Sequence, residues 1–158
     1  MEGIEVRWGL PEDEPRIAEL LELNGMPRWV AYEERFIVAE RRGEVLAGLR
    51  CRTEIKRLLL GLLFVDPWAG EGPPARALYA GAWSLAREIE AREIIAVPLP
   101  YANYPHEVGY RRRGRGWRLD AVAGCPELRG ELPASGWRRV VALLGMCAVP
   151  FFRVSRDW

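Results

Sequence analysis

Apolar positions in this chain follow two periods. Ile4-Glu5-Val6-Arg7-Trp8 alternates apolar and polar side chains. That period predicts a strand buried on one face. Phe36 to Glu40 and Val45 to Leu49 are short apolar runs flanking Arg41-Arg42-Gly43-Glu44, a tight hairpin between two strands. Leu58 to Val65 is almost continuously apolar, as expected of a strand covered on both faces at the centre of a sheet. Ile94 to Val97 reads as another short buried strand, stopped by Pro98 and Pro100, and Trp117 to Val122 as the last strand of the core. Helical spacing takes over elsewhere. Pro11 opens a helix with Ile17, Leu20, Leu21 and Leu23 on one stripe. Glu12, Asp13 and Glu14 lie in its first turn, where the dipole favours negative charge, and Asn24-Gly25 ends it. Pro27 to Glu34 reads as a second short helix, with Trp29, Val30 and Tyr32 turned partly inward. Pro74 to Ala91 is the long helix, with Leu78, Ala82, Leu85 and Ile89 in line. Beyond the core, Ser135 to Met146 reads as an extra helix and Val149 to Val154 as a strand or extended tail.

The central strand runs through Asp66-Pro67 into Trp68-Ala69-Gly70-Glu71-Gly72, and a helix follows. Gly70 and Gly72 allow backbone angles that a side chain would forbid. The helix start aims unpaired N–H groups back at the turn, which makes an anion site. Two familiar phosphate loops do not fit. The Walker loop ends in Gly-Lys-Ser/Thr, and the single lysine is Lys56, ahead of the strand. The dinucleotide fingerprint needs three glycines, and two are present here.

The order of segments from Ile4 to about Leu119 resembles the GNAT superfamily of acyl-CoA-dependent N-acyltransferases. Phe64-Val65-Asp66-Pro67, the Gly-x-Gly loop and Ala75-Arg76-Ala77-Leu78 resemble its cofactor motif. Tyr104-Pro105-His106-Glu107-Val108-Gly109-Tyr110 resembles its Phe-Tyr-x-x-x-Gly-Phe motif. The resemblance implies a single α/β (α+β) domain over 1–158, with a core at 4–122 and a C-terminal extension at 123–158. Its sheet would be twisted and mostly antiparallel, with six or seven strands and helices on both faces. The central strand and the strand at Ile94–Val97 would run parallel and splay apart, since the long helix crosses between them.

The same resemblance implies acetyl-CoA, or another acyl-CoA, as cofactor and an unknown amine as acceptor. Pantetheine amides would meet the backbone of Leu63, Phe64 and Val65. The pyrophosphate would lie on Gly70, Glu71 and Gly72 and on the N–H groups of Ala75 and Arg76. Asn103 would reach cofactor amide or phosphate; a turn or cap role fits it equally. Tyr104, beside the family's tyrosine position, would protonate the leaving thiolate, with Tyr101 and Tyr110 as alternatives. Glu54, with Glu33 and Glu34, is a candidate general base, and Asp66 is a turn former. The chain departs from the family at Pro73-Pro74, which have no N–H to give a phosphate, and at Pro105, where the tyrosine would stand. These departures favour a second reading, a non-catalytic module that binds CoA or a protein partner.

Composition narrows the field. The net charge of +1 exerts no overall pull on nucleic acid, yet residues 1–54 carry 12 acids and 8 arginines, net −4, so residues 55–158 carry +5. Arg111 to Arg118 holds five arginines and no acid. It reads as a solvated strand-edge hairpin, as a contact for cofactor or substrate anions, or, third, as a nucleic-acid contact. Cys51, Cys125 and Cys147 fit neither a disulfide framework nor a zinc site, and the lone His106 builds no metal site. The longest apolar run, Val140 to Phe152, contains Pro150 and is too short for a bilayer. Met1 to Glu5 is no signal peptide. A cytoplasmic protein with reduced thiols, no metal and no membrane contact is expected, and a homodimer stays open.

Overall fold

The computed structural model describes residues 3–121. A seven-stranded sheet runs through it in the order β1-β2-β3-β4-β5-β7-β6. The strands are β1 (Ile4–Trp8), β2 (Arg35–Arg41), β3 (Glu44–Glu54), β4 (Arg57–Val65), β5 (Glu93–Ala96), β6 (Arg111–Arg113) and β7 (Gly116–Asp120). The helices are α1 (Glu14–Leu23), α2 (Val30–Glu33), α3 (Gly72–Glu88) and α4 (Tyr104–Glu107). Each strand pair is antiparallel except β4 with β5. That exception follows from the intervening helix, because only a long crossover returns the chain to the same end of a sheet.

The sheet has a core on each face. On one, α3 packs over β1 to β5 with Leu78, Tyr79 and Leu85 fully buried. On the other, α1 and α2 bury Ile17, Leu20, Leu21 and Val30 against Phe36, Val38 and Phe64. Two glycines set how close the layers come. A Cβ on Gly81 would lie 2.6 Å from the Val6 side chain, so α3 needs the glycine there despite the roughly 1 kcal/mol it costs a helix interior. A Cβ on Gly48 would lie 2.3 Å from the Phe64 ring, which covers that glycine and meets Phe36 edge to face at 5.5 Å.

The sequence reading differs from the structure mainly at element ends. Pro11–Asp13 forms a separate 3-10 turn before α1. It is held by the buried Asp13, which accepts from the Leu10 N–H at 2.7 Å and from Arg7 at 2.6 Å. Burial alone would raise the Asp13 carboxyl, but Arg7 and the Leu10 amide hold it below its ordinary value. The second helix is only Val30–Glu33, because the carbonyls of Pro27, Arg28 and Trp29 accept from the N–H three residues on, as in 3-10 turns. The long helix begins at Gly72, two residues early, and ends at Glu88, where Glu90 turns to φ 58°. The calls at Ser135–Met146 and Val149–Val154, and the extension as a whole, lie outside the described residues. Among those residues no helix is long and apolar enough to cross a membrane.

One partly buried carboxyl lies beside the Trp8 indole with no charged partner among the described residues. Both oxygens of Glu88, at the end of α3, are shielded from solvent without a hydrogen bond, as is the indole nitrogen of Trp8. Burial pushes the Glu88 carboxyl up to about 6, and the neighbouring Trp8 indole pulls it back only partly. The folded value lies above the unfolded one, so the folded state holds the proton longer and stability falls as pH rises through about 6. Glu88→Gln is expected to remove that fall. Discounted for partial solvation, it should raise stability above neutral pH by on the order of 1 kcal/mol. Urea unfolding across the pH range measures this, and parallel curves for the two proteins would refute it.

Candidate active site

The site begins with a change of register in β4. Cys51 stands opposite Leu60, and Leu49 opposite Leu63. Two residues of β4, Gly61 and Leu62, therefore face one of β3, which is a β-bulge. Before the bulge, Leu60 turns its carbonyl to β5 and accepts from the Val97 N–H at 2.9 Å. After it, the Asp66 N–H donates to the Leu46 carbonyl at 2.7 Å. In an antiparallel ladder that alternates residue by residue, Phe64 then faces Gly48, and Leu63 and Val65 face away from β3.

Away from β3 there is no strand to meet them. Pairing of β4 with β5 spans Arg57–Leu60 and Glu93–Ala96. Pro98 and Pro100 then carry the chain off. The β4–β5 ladder is thus unfinished beyond Leu60, and the gap between the second half of β4 and the segment after β5 is the candidate cleft. Of the three residues expected to offer amides, the register separates them. Leu63 presents both backbone groups to the cleft and Val65 its N–H. Phe64 spends its backbone on β3 and its ring on the core. The Val65 carbonyl is also taken, by the Asn24 side-chain amide at 2.8 Å.

Helix α1 anchors the end of β4. Besides Asn24, Arg16 reaches Asp66 at 2.7 Å, and Asp66 accepts from the Trp68 N–H at 2.9 Å. Asp66 is thus a turn former, as its sequence position suggested. Gly70 follows at φ 75°, a left-handed conformation that suits glycine.

At the start of α3 the supply of donors is thin. Pro73 and Pro74 have none, and the Ala75 N–H is already bonded to the Glu71 carbonyl at 3.1 Å. The expected role of the Ala75 amide is therefore corrected. Gly70, Glu71 and Gly72 keep amides that no backbone carbonyl pairs with among the described residues. Arg76 contributes differently from expectation. Its backbone lies inside the helix, while its guanidinium folds back over Gly72, within 2.8 Å of where a Cβ would stand. The same guanidinium bonds Glu107 and lies 5.6 Å from the centre of the Tyr104 ring.

The two tyrosines of the 101–104 segment meet this helix end. Tyr101 is exposed and donates to the Glu71 carboxylate at 2.7 Å. Tyr104, the first residue of α4, is partly buried against the core. Its hydroxyl is raised above its ordinary value, by burial first and then by Glu71. Asn103 is exposed, and its side chain makes no cap hydrogen bond at α4. His106 stacks on Trp117 at 5.5 Å, and Tyr110 is buried, donating to the Tyr79 carbonyl at 2.8 Å.

Glu54 does not join the site. It ends β3 at the two-residue turn Ile55-Lys56, exposed and paired with Arg52 at 2.7 Å. Leu63 lies roughly 20 Å away along the strand at about 3.3 Å per residue. Glu34 carries a raised carboxyl, through burial first, in a separate pocket of about 200 Å³ between Trp8, Pro11, Ala31 and Phe36. Among the described residues no group of carboxylates, histidines and cysteines could hold a metal ion.

The residue missed by sequence reasoning is Tyr79. Its hydroxyl is fully buried and has no hydrogen-bond partner. Burial raises it, and Tyr101, Glu71 and Tyr104 are the ionisable groups near enough to act on it. The helical stripe of Leu78, Ala82, Leu85 and Ile89 left Tyr79 aside. The only available signal was a polar tip one turn beyond Arg76 on the same helix.

No family model and no curated protein matches this chain. Solved structures do. A GNAT family acetyltransferase from Bacillus cereus is 13% identical, with a TM-score of 0.61, over 74% of this chain and 96% of its own. A GNAT family N-acetyltransferase from Escherichia coli, crystallised with CoA, is 16% identical, with a TM-score of 0.59, over 81% and 86%. A GNAT family acetyltransferase from Brucella melitensis, in complex with acetyl-CoA, is 18% identical, with a TM-score of 0.53, over 76% and 89%. The parallel β4 and β5 that part after Leu60, the bulge between β3 and β4 and the glycine turn before α3 thus belong to a chain that shares the fold of these GNAT-family structures.

Proposed function

We propose that this protein transfers an acyl group from a CoA thioester to a primary amine. The observation that carries the reading is the cleft in which Leu63 and Val65 turn unpaired backbone groups outward, beside the glycine turn at the start of α3. An extended chain bearing amides, such as pantetheine, can complete the ladder that β5 leaves unfinished. Its diphosphate then reaches Gly70, Glu71 and Gly72, with the Arg76 guanidinium replacing the donors lost at Pro73 and Pro74.

Catalysis in this cleft is mainly positioning. The neutral amine nitrogen attacks the thioester carbonyl; the C–N bond forms as the C–S bond breaks. The thiolate takes a proton from a tyrosine hydroxyl, for which Tyr104 is the first candidate and Tyr79 the second. The new ammonium gives its proton to water, since none of the carboxylates proposed as a base is placed in the cleft. A second reading, a module that binds CoA without turnover, draws support from Pro73, Pro74 and that missing base.

Two experiments separate these readings. Tyr104→Phe should lower turnover of acetyl-CoA with a panel of amines by roughly tenfold or more while leaving CoA affinity nearly unchanged. A loss confined to Tyr79→Phe would move the acid to α3. Wild-type protein that binds CoA but turns over no amine would favour the module. In the second, Arg76→Ala should weaken CoA binding about tenfold in a calorimetric titration. Acetyl-pantetheine, which has no diphosphate, should bind wild type and variant equally. Equal CoA affinities would remove Arg76 from the site, and no CoA binding by wild type at millimolar concentration would remove the cofactor.

A further inference from the structure

The opposite end of the sheet carries a second concave surface. Where β4 and β5 begin, a groove of about 700 Å³ is lined by Lys56, Arg57, Arg92, Arg111, Arg113 and Arg118, with Glu93 and Asp120 as its only acids. These residues come from four separate segments: the β3–β4 turn, the entry to β5, β6 and the end of β7. Strand alternation gathers them. Arg111 stands opposite Arg118 and Arg113 opposite Gly116, so these arginines share one face. Arg112 falls on the other face and packs over the Trp117 ring at 5.4 Å.

The two acids of the groove offset only part of the charge of its six cations. Glu93 pairs with Arg57 at 2.6 Å and stands 3.8 Å from Arg118. Lys56, Arg92, Arg111 and Arg113 are exposed and make no ion pair with a carboxylate among the described residues. Four converging, unneutralised cations repel one another, and a ligand of repeated negative charge relieves that repulsion. The lining is otherwise poor in recognition features. Among the described residues Ile55 and Leu119 are its only apolar lining, and no aromatic residue lines it. A peptide would find no side-chain pockets, and a base no stacking platform. What fits is a chain read by its phosphates, and guanidinium forks match phosphate oxygens in pairs.

We propose that this groove binds the phosphodiester backbone of a nucleic acid, without sequence preference. The site lies at the end of β4 and β5 remote from the cofactor cleft and stands independently of acyl transfer.

Fluorescence anisotropy of the full chain with labelled U12 and A12 oligoribonucleotides tests it. Both should bind alike at low salt. Four phosphate contacts at a slope of about −0.7 each predict a roughly 50-fold loss of affinity between about 50 and 200 mM NaCl. Arg111→Glu/Arg113→Glu should cut affinity at low salt at least tenfold and roughly halve the salt slope. Arg92→Glu, on a different segment, should act in the same direction if the edge-strand variant fails to fold. Arg41→Glu/Arg42→Glu, on a remote hairpin, should change affinity much less. No binding at low salt, variants indistinguishable from the Arg41/Arg42 control, or equal binding of a labelled oligoglutamate would overturn the proposal.

Discussion

One extra residue in β4 governs this structure. A strand has two edges, and its backbone groups alternate between them. Without the bulge at Gly61-Leu62, the residues after it would keep the phase that lets Leu60 bond β5, and Phe64 rather than Leu63 would face the gap. The bulge reverses that phase just where β5 stops. The sheet is thereby closed at the start of β4 and open at its finish. The two cores make the arrangement stable. The Phe64 ring is locked over Gly48 and against Phe36, so β4 cannot slip back by one residue without moving a buried aromatic into the α3 layer.

The opening is useful only if its rim is held. Arg16 and Asn24 of α1 fix Asp66 and the Val65 carbonyl from one side of the sheet, and Tyr101 and Glu107 tie to Glu71 and Arg76 from the other. Both sets of contacts converge on the turn from β4 to α3. Prolines at the second and third positions of α3 stiffen that turn and are favourable for the helix, while they reduce its capacity to hold an anion. The Arg76 guanidinium lies over Gly72 and sets a full positive charge beside the helix start. It is shared with the Glu107 carboxylate, so an incoming anion must compete for it.

Much of this was legible in the sequence, and the boundary is physical. Strands and long helices announce themselves through periods set by backbone geometry, and the parallel pair followed from an intervening helix too long to be a hairpin. The phase of β4 was not legible, because a bulge in an unbroken run of Leu, Gly and Phe leaves the apolar pattern unchanged; hence Leu63, Phe64 and Val65 looked equivalent. Glu54 was misjudged for a related reason. The end of a strand in sequence says nothing about which end of the sheet holds the cleft. The Ala75 amide was counted as free because intrahelical bonding depends on where α3 begins, two residues before the expected Pro74. Tyr79 was missed because it stands beside the stripe of Leu78, Ala82, Leu85 and Ile89, and nothing in the period shows that a neighbouring ring is buried as deeply.

The uneven charge of the chain acquires meaning in three dimensions. The acidic first third contributes α1, α2, β1, β2 and β3, where six of its twelve acids pair with arginines of the same region, among them Asp13 and Glu40 with Arg7, and Glu19 and Glu44 with Arg16. The later segments supply β5, β6 and β7 and few acids, so their arginines are left over. Sheet alternation then sorts them by face instead of cancelling them. Every second residue of β6 points the same way, and the neighbouring turn and strand ends add to that side. The same alternation exposes amides at one end of β4 and collects cations at the other, so both concave surfaces of this domain rest on the two-residue period of a strand.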